Sequence, residues 1–155
     1  YEYDAAGDLT AVVDQVGNVS RYGYLQGRYA HYLQDIFDAR GVRAARNEYD
    51  ADGRLIAQVD PDGKRIEFSL DITGRVQRVK NRLGETSIFV FDDNGRVLQE
   101  TNALGETVLR TYDSFGNTLT QTNADGETTR WVYDSAGNKL RETDHLGNAT
   151  VWTYD

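Results

Sequence analysis

The sequence predicts an all-β fold: tandem 21-residue repeats, two strands each, running as a long antiparallel meander. Three observations predict it. A dipeptide recurs every 21 residues without a slip, at Tyr49-Asp50, Leu70-Asp71, Phe91-Asp92, Tyr112-Asp113, Tyr133-Asp134 and Tyr154-Asp155. Glycines follow at two fixed offsets: Gly53, Gly74, Gly95, Gly116 and Gly137, then Gly63, Gly84, Gly105, Gly126 and Gly147. The segments between these marks are about seven residues long and carry aromatic rings at i and i+2. A fixed period sets the architecture before any local signal is weighed.

The turns come first. Each glycine closes an Asp/Asn-x-x-Gly quartet, opened by Asp50, Asp71, Asp92, Asp113 and Asp134 in one column. Asp60, Asn81, Asn102, Asn123 and Asp144 open the other. Asp and Asn open turns because their side chains bond the backbone two residues on. Glycine in the fourth place takes the left-handed conformation that ends a type I turn with a bulge.

The strands follow from the spaces between turns. Phe89 and Phe91, Trp131 and Tyr133, and Trp152 and Tyr154 stand two apart, so each pair shares one strand face. Thr128, Thr129, Val132, Thr150 and Val151 fill the rest and suit a pleated ribbon. The alternate segment is more polar and keeps one apolar residue near its start: Leu55, Val76, Leu98, Leu119 or Leu140. Tight turns join antiparallel neighbours, which gives the meander. Arg110 stands where its counterparts are Phe or Trp, a place from which Arg can stack on a ring.

Residues 1–24 carry one more regular unit, with Tyr3-Asp4, Gly7, Asp14, Gly17, Tyr22 and Tyr24 in the expected columns. Residues 25–48 are irregular, since Tyr24 to Tyr49 spans 25 residues. Three extra residues fall between Leu25 and Tyr32, and one more between Gly41 and Tyr49. Either an ordinary turn has a bulge or longer loop here, or a short helical turn forms, because Tyr29, Tyr32, Leu33, Ile36 and Phe37 match a helical stripe. The regular units on both sides favour the strand. The regular units are thus 3–24 and 49–155, and a chain that starts and stops inside a repeat reads as a fragment of a larger protein.

Composition narrows the partners. A net charge of −8 argues against nucleic acid and anionic membrane surfaces. With no cysteine there is neither a disulfide framework nor a thiolate metal site. No apolar run approaches the ~18 residues of a membrane span. With 39% hydrophobic and 27% charged residues the chain on its own is expected to be marginal or self-associating, with sheet edges that neighbouring repeats would cap.

Tyr-Asp-x-x-Gly, then Asp/Asn-x-x-Gly, then an aromatic-rich strand back to Tyr-Asp resembles the YD repeat of the Rhs family over nearly the whole chain, residues 25–32 excepted. Such repeats occur in bacterial Rhs and wall-associated polymorphic toxins, in shell components of insecticidal toxin complexes and in the teneurins. The resemblance implies a spiralling β-sheet that closes into a hollow shell, at a secreted or cell-surface location. It further implies neighbouring repeats of the same parent chain as partners, and an enclosed C-terminal toxin or effector domain as cargo. Asp60-Pro61-Asp62-Gly63 resembles the start of the family's self-cleavage motif, but Lys64 replaces its leucine and the quartet sits in a turn column.

Chemistry-bearing sites are few. Asp50-Ala51-Asp52-Gly53 and Asp92-Asp93-Asn94-Gly95 are composed like the start of a calcium loop, but the bidentate glutamate and flanking helices of an EF-hand are missing. His31 and His145 are the only histidines, one in the irregular segment and one in a turn. No nucleophile–base–orienter set is apparent, so neither a catalytic role nor a cofactor is expected. The aromatic stripe offers a carbohydrate-binding or adhesive alternative, with Trp131 and Trp152 as the rings on which a sugar would stack. The expected role is structural, carried by the repeat columns.

Overall fold

The computed structural model describes all 155 residues. Fifteen strands follow one another in the sheet in the order of the chain. They are β1 (Glu2–Tyr3), β2 (Leu9–Val13), β3 (Val19–Tyr24), β4 (Leu33–Phe37), β5 (Arg43–Tyr49), β6 (Leu55–Val59), β7 (Arg65–Asp71) and β8 (Val76–Lys80). Then come β9 (Thr86–Phe91), β10 (Val97–Thr101), β11 (Thr107–Tyr112), β12 (Thr118–Thr122), β13 (Thr128–Tyr133), β14 (Lys139–Thr143) and β15 (Ala149–Val151). One 3-10 turn, Gly27–Tyr29, is the sole helical element. The chain divides into two compact units, Tyr1–Ser69 with Val79–Gly84, and Leu70–Arg78 with Glu85–Asp155.

The two kinds of hairpin differ. Those closed at Asp14, Asp60, Asn102, Asn123 and Asp144 pair in simple register, as in Val13↔Val19, Val12↔Ser20 and Ala11↔Arg21, or Thr122↔Thr128 and Thr120↔Arg130. Those closed by the Tyr-Asp column after Tyr3, Tyr24, Tyr49, Phe91, Tyr112 and Tyr133 carry a bulge. Tyr133 faces Lys139 but Val132 faces Arg141, so Leu140 has no partner of its own. Leu98, Leu119 and Ile56 are left over in the same way.

The bulge follows from parity. Residues paired across a hairpin in simple register differ by an even number and lie on one face of the sheet. The period of 21 is odd, so without correction each aromatic would point to the opposite face from its counterpart in the next unit. One extra residue per unit restores the face. It also leaves a stagger. In the second unit Thr143 lies opposite Arg130, and Arg130 opposite Thr120, whereas the counterpart of Thr143 one repeat earlier is Thr122. Each repeat is therefore displaced by two residues, about 6–7 Å, over a two-strand advance of about 10 Å.

The irregular unit takes both forms its sequence allowed. The three extra residues make the 3-10 turn, closed by Leu25 N–H to Tyr32 O at 2.9 Å and Tyr32 N–H to Tyr29 O at 2.9 Å. Leu33–Phe37 is nevertheless a strand, so the helical stripe through Ile36 and Phe37 does not form. The single extra residue near Gly41 becomes a bulge at Ala44, between the pairs Phe37↔Arg43 and Ile36↔Ala45.

Little of the chain is buried. Only Ala11, Ala57 and Val59 are buried, and no large side chain is fully enclosed. The accessible surface is 10449 Å², against about 7,900 Å² for a compact monomer of 17.5 kDa. Burial here is one layer deep, so backbone pairing and turn chemistry hold much of the register.

Candidate functional site: the repeat turns and their tyrosines

Each turn is built from its first residue. In the Asp113 quartet, Gly116 N–H bonds Asp113 O at 3.3 Å and Asp113 N–H bonds Asn117 O at 3.0 Å. The Asp113 Oδ1 accepts from the Phe115 and Asn117 amides at 2.9 Å each, and Asn117 Nδ2 donates to Oδ2 at 2.9 Å. Asp14, Asp134 and Asp144 repeat this arrangement with Asn18, Asn138 and Asn148. These carboxyls are held below the ordinary aspartate range, first by the asparagine side-chain bond. Asp92 is lowered mainly by the Arg96 amide, with help from the Arg96 guanidinium at 2.6 Å.

Asn102 and Asn123 accept the same two amides through an uncharged oxygen, so the turn itself needs an acceptor and not a charge. In the turns composed like calcium loops, the Oδ1 atoms of Asp50 and Asp92 face backbone N–H groups. Asp60-Pro61-Asp62-Gly63 is a turn of the same construction.

Gly53, Gly63, Gly84, Gly95, Gly105, Gly116, Gly126, Gly137 and Gly147 all have positive φ, which favours a residue without Cβ. Gly74 corrects the sequence reading. Its φ is not positive; the left-handed residue is Arg75, at φ 51. Asp71 still belongs to β7, its carboxylate bonds the Gly74 amide at 2.9 Å, and the turn closes one residue late from Arg75 N–H to Ile72 O. A Cβ at Gly74 would lie 2.5 Å from the Asp71 carboxylate, so a larger residue there would have to swing that side chain aside and break its bond to the Gly74 amide.

The tyrosine of the Tyr-Asp pair has a job the sequence did not reveal. Tyr24, Tyr112 and Tyr154 each donate a hydroxyl bond, at 2.8–2.9 Å, to the carbonyl 15 residues earlier: Leu9, Val97 and Lys139. Tyr49 bonds Leu33 O, 16 residues back, at 2.7 Å. Every acceptor is the first residue of a strand, beside the bulge: Leu9, Val97 and Lys139 follow a turn of the Tyr-Asp column, and Leu33 follows the inserted 3-10 turn. Tyr133 makes no such bond, and Phe91 and Leu70 lack the hydroxyl. The odd period was the available signal, because it demands a bulge whose carbonyls need partners.

The aromatic stripe is tied internally. Lys139 Nζ lies 5.6 Å from the Trp131 ring and 5.5 Å from the Trp152 ring. Glu142 binds Lys139 Nζ at 3.0 Å and accepts from Trp131 Nε1 at 2.8 Å; its carboxyl is lowered first by Lys139, then by Trp131. Arg110 does not stack on a ring. Its guanidinium meets Glu100 and Gln121, both at 3.2 Å, because the cross-strand neighbours at that position are polar. Of the two histidines, His31 meets Asp8 at 2.9 Å and His145 meets Glu127 at 3.2 Å.

The inserted segment engages two turns. Tyr29 lies over Gly53, where an added Cβ would come within 2.6 Å of the ring, and its hydroxyl bonds Ala51 O at 3.0 Å. Tyr32 packs between Tyr29 and Tyr49, with centroids 5.1 and 5.2 Å away.

The architecture is that of a structural repeat protein, with two strands and two Asx-opened turns in each regular unit and a tyrosine hydroxyl brace at four of the strand starts. The RHS repeat family model matches residues 49–86, 91–128 and 112–144, more than half of the chain. The chain belongs to the RHS repeat family. No curated protein sequence matches it significantly. Among solved structures it is similar to the TcdB2-TccC3 complex, with TM-score 0.74 and 18% identity over 98% of this chain and 10% of that one. The same complex without its hypervariable C-terminal region gives TM-score 0.76 at 17% identity, over 98% of this chain and 9% of that one. A Photorhabdus luminescens Tc holotoxin pore carrying a TccC3 mutation gives 0.68 at 16%, over 97% and 9%. The present chain thus spans about a tenth of the length of each, and at such identity the likeness is one of fold.

Proposed function

We infer that this chain is a wall segment of a hollow β-shell, formed with neighbouring repeats of a longer secreted or surface protein, and that the shell encloses or presents a toxin or effector domain. The observation that carries the reading is a single-layer sheet whose surface exceeds that of a compact monomer of its mass by about a third. Such a layer gains stability by continuing into further hairpins at β1 and β15. The bulge at each Tyr-Asp hairpin supports curvature, since bulges bend and twist a strand, and the stagger between repeats is of the kind that closing sheets require. Membership of the RHS repeat family and the likeness to Tc toxin structures support the same role.

We read the segment as non-catalytic. Each histidine meets a single carboxylate, and a surface hollow of 450 Å³ near Glu100 and Asp125 is lined by groups already bonded to one another, such as Arg110 with Glu100 and Asn102 with Glu106. The sugar-binding alternative has less support, because Lys139 already sits between the Trp131 and Trp152 rings.

The test is the parent protein, imaged by electron cryo-microscopy and treated with protease. The expected result is unbroken pairing from β1 and β15 into adjacent repeats around an interior volume, with the downstream domain digested more slowly than when it is free. Equal digestion rates would remove the enclosure. A parent in which residues 1–155 form a separate closed module would remove the wall.

A further inference from the structure

The insertion in the irregular unit lies on the Tyr-Asp side of the sheet and touches the turns before and after it. On one side Tyr29 covers Gly53 and bonds Ala51 O. On the other, His31 Nδ1 lies 2.9 and 3.0 Å from the two carboxylate oxygens of Asp8, 23 residues earlier. Asp8 is only 15% exposed, so the imidazole accounts for much of what its carboxylate can reach.

We propose that this segment is a brace across three successive hairpins, fastened permanently by Tyr29 and reversibly by the His31–Asp8 pair, whose hold weakens when His31 loses its proton. The Tyr29 end uses a hydroxyl bond to a backbone carbonyl and ring packing, with no ion pair. The His31 end is charge-assisted only in the imidazolium form; a neutral ring keeps at most one ordinary N–H···O bond, about half as strong.

Other groups facing the pair do not disturb this. The Asp4 carboxylate adds negative charge on the same side, and with the Asp8 bond as the first cause it holds the His31 pKa above its usual 6.5. Tyr24 of β3 bonds Leu9 O, and burial followed by Asp8 pushes its hydroxyl up, so it stays neutral throughout the range. The sign follows. A raised folded-state pKa means the fastening is complete below about 6.5 and is lost as pH rises through the higher folded value. The closed segment therefore belongs to mildly acidic conditions and the loosened one to alkaline conditions.

The test is amide exchange, corrected for intrinsic rates, at Leu25, whose N–H closes the inserted loop on Tyr32 O. From about pH 5.5 to about pH 8.5, protection at Leu25 should fall roughly two- to fivefold, the range of an exposed ion pair. Asp8→Asn should abolish the pH dependence and leave the turn intact, because Asn18, Asn117, Asn138 and Asn148 occupy the same turn position. His31→Gln should do the same, and Tyr29→Phe should lower protection equally at every pH while keeping the slope. If His31→Gln fails to fold, Asp8→Asn decides alone. Protection that is flat with pH in the natural sequence, or an unchanged slope in Asp8→Asn, overturns the proposal.

Discussion

Replacing Gly53 and Gly63 by alanine separates two reasons for a turn glycine. Their backbones are nearly the same, with φ of 82° and 80°. Around Gly63 nothing lies within 4 Å of an added Cβ, whereas at Gly53 it would meet the Tyr29 ring at 2.6 Å. Gly63→Ala should therefore cost only the left-handed backbone penalty, about 1–2 kcal/mol. Gly53→Ala should cost that and also displace Tyr29. The displaced ring loses its hydroxyl bond to Ala51, about 1 kcal/mol, and its contact with Tyr32, about 0.5–1.5 kcal/mol. The total is about 2.5–4.5 kcal/mol. Urea titration followed by circular dichroism measures both, compared through midpoints at unchanged slope. In a Tyr29→Ala background Gly53→Ala should fall to the Gly63→Ala level, since the ring that couples them is gone. Equal costs for the two glycines in the natural sequence would refute the argument.

Three further outcomes are expected. Tyr112→Phe should destabilise by about 1 kcal/mol, because it strands the Val97 carbonyl beside the bulge; Tyr133→Phe should be near neutral, and equal effects in urea titrations would count against the hydroxyl brace. The carboxyls of Asp14, Asp38, Asp92, Asp113, Asp134 and Asp144 are all lowered on folding, so their contribution is present above the unfolded value near 4 and lost as pH falls through the folded values. The melting temperature should accordingly drop below about pH 4, and a flat profile there would contradict the turn chemistry. Titration with glycans should leave the fluorescence of Trp131 and Trp152 unmoved, whereas Lys139→Ala should shift it; a saturable shift with sugar in the natural sequence would restore the carbohydrate reading.

The strands and turns were legible because both are written in short-range chemistry that the repeat averages over many copies. Asp113 bonding its own turn is a local event, and so is the left-handed glycine three residues on. What escaped was set between strands. The place of the leftover residue, Leu140 or Leu119, depends on register across the hairpin, although the odd period already required such a residue. The Tyr112–Val97 bond links positions that only pairing brings together. Gly74 looked like its four counterparts, yet the Asp71 carboxylate reached its amide and moved the turn by one residue. Arg110 shares a column with Phe and Trp, but its cross-strand neighbours Glu100 and Gln121 decide its contacts.

Each hairpin meets the ones that come just before and after it in the chain, and no strand waits for a partner from a remote stretch of sequence. Such a ribbon has short loops to close and a low barrier of search. It can zip together progressively while the polypeptide is still emerging from a narrow channel, and under load it should come apart stitch by stitch from an end.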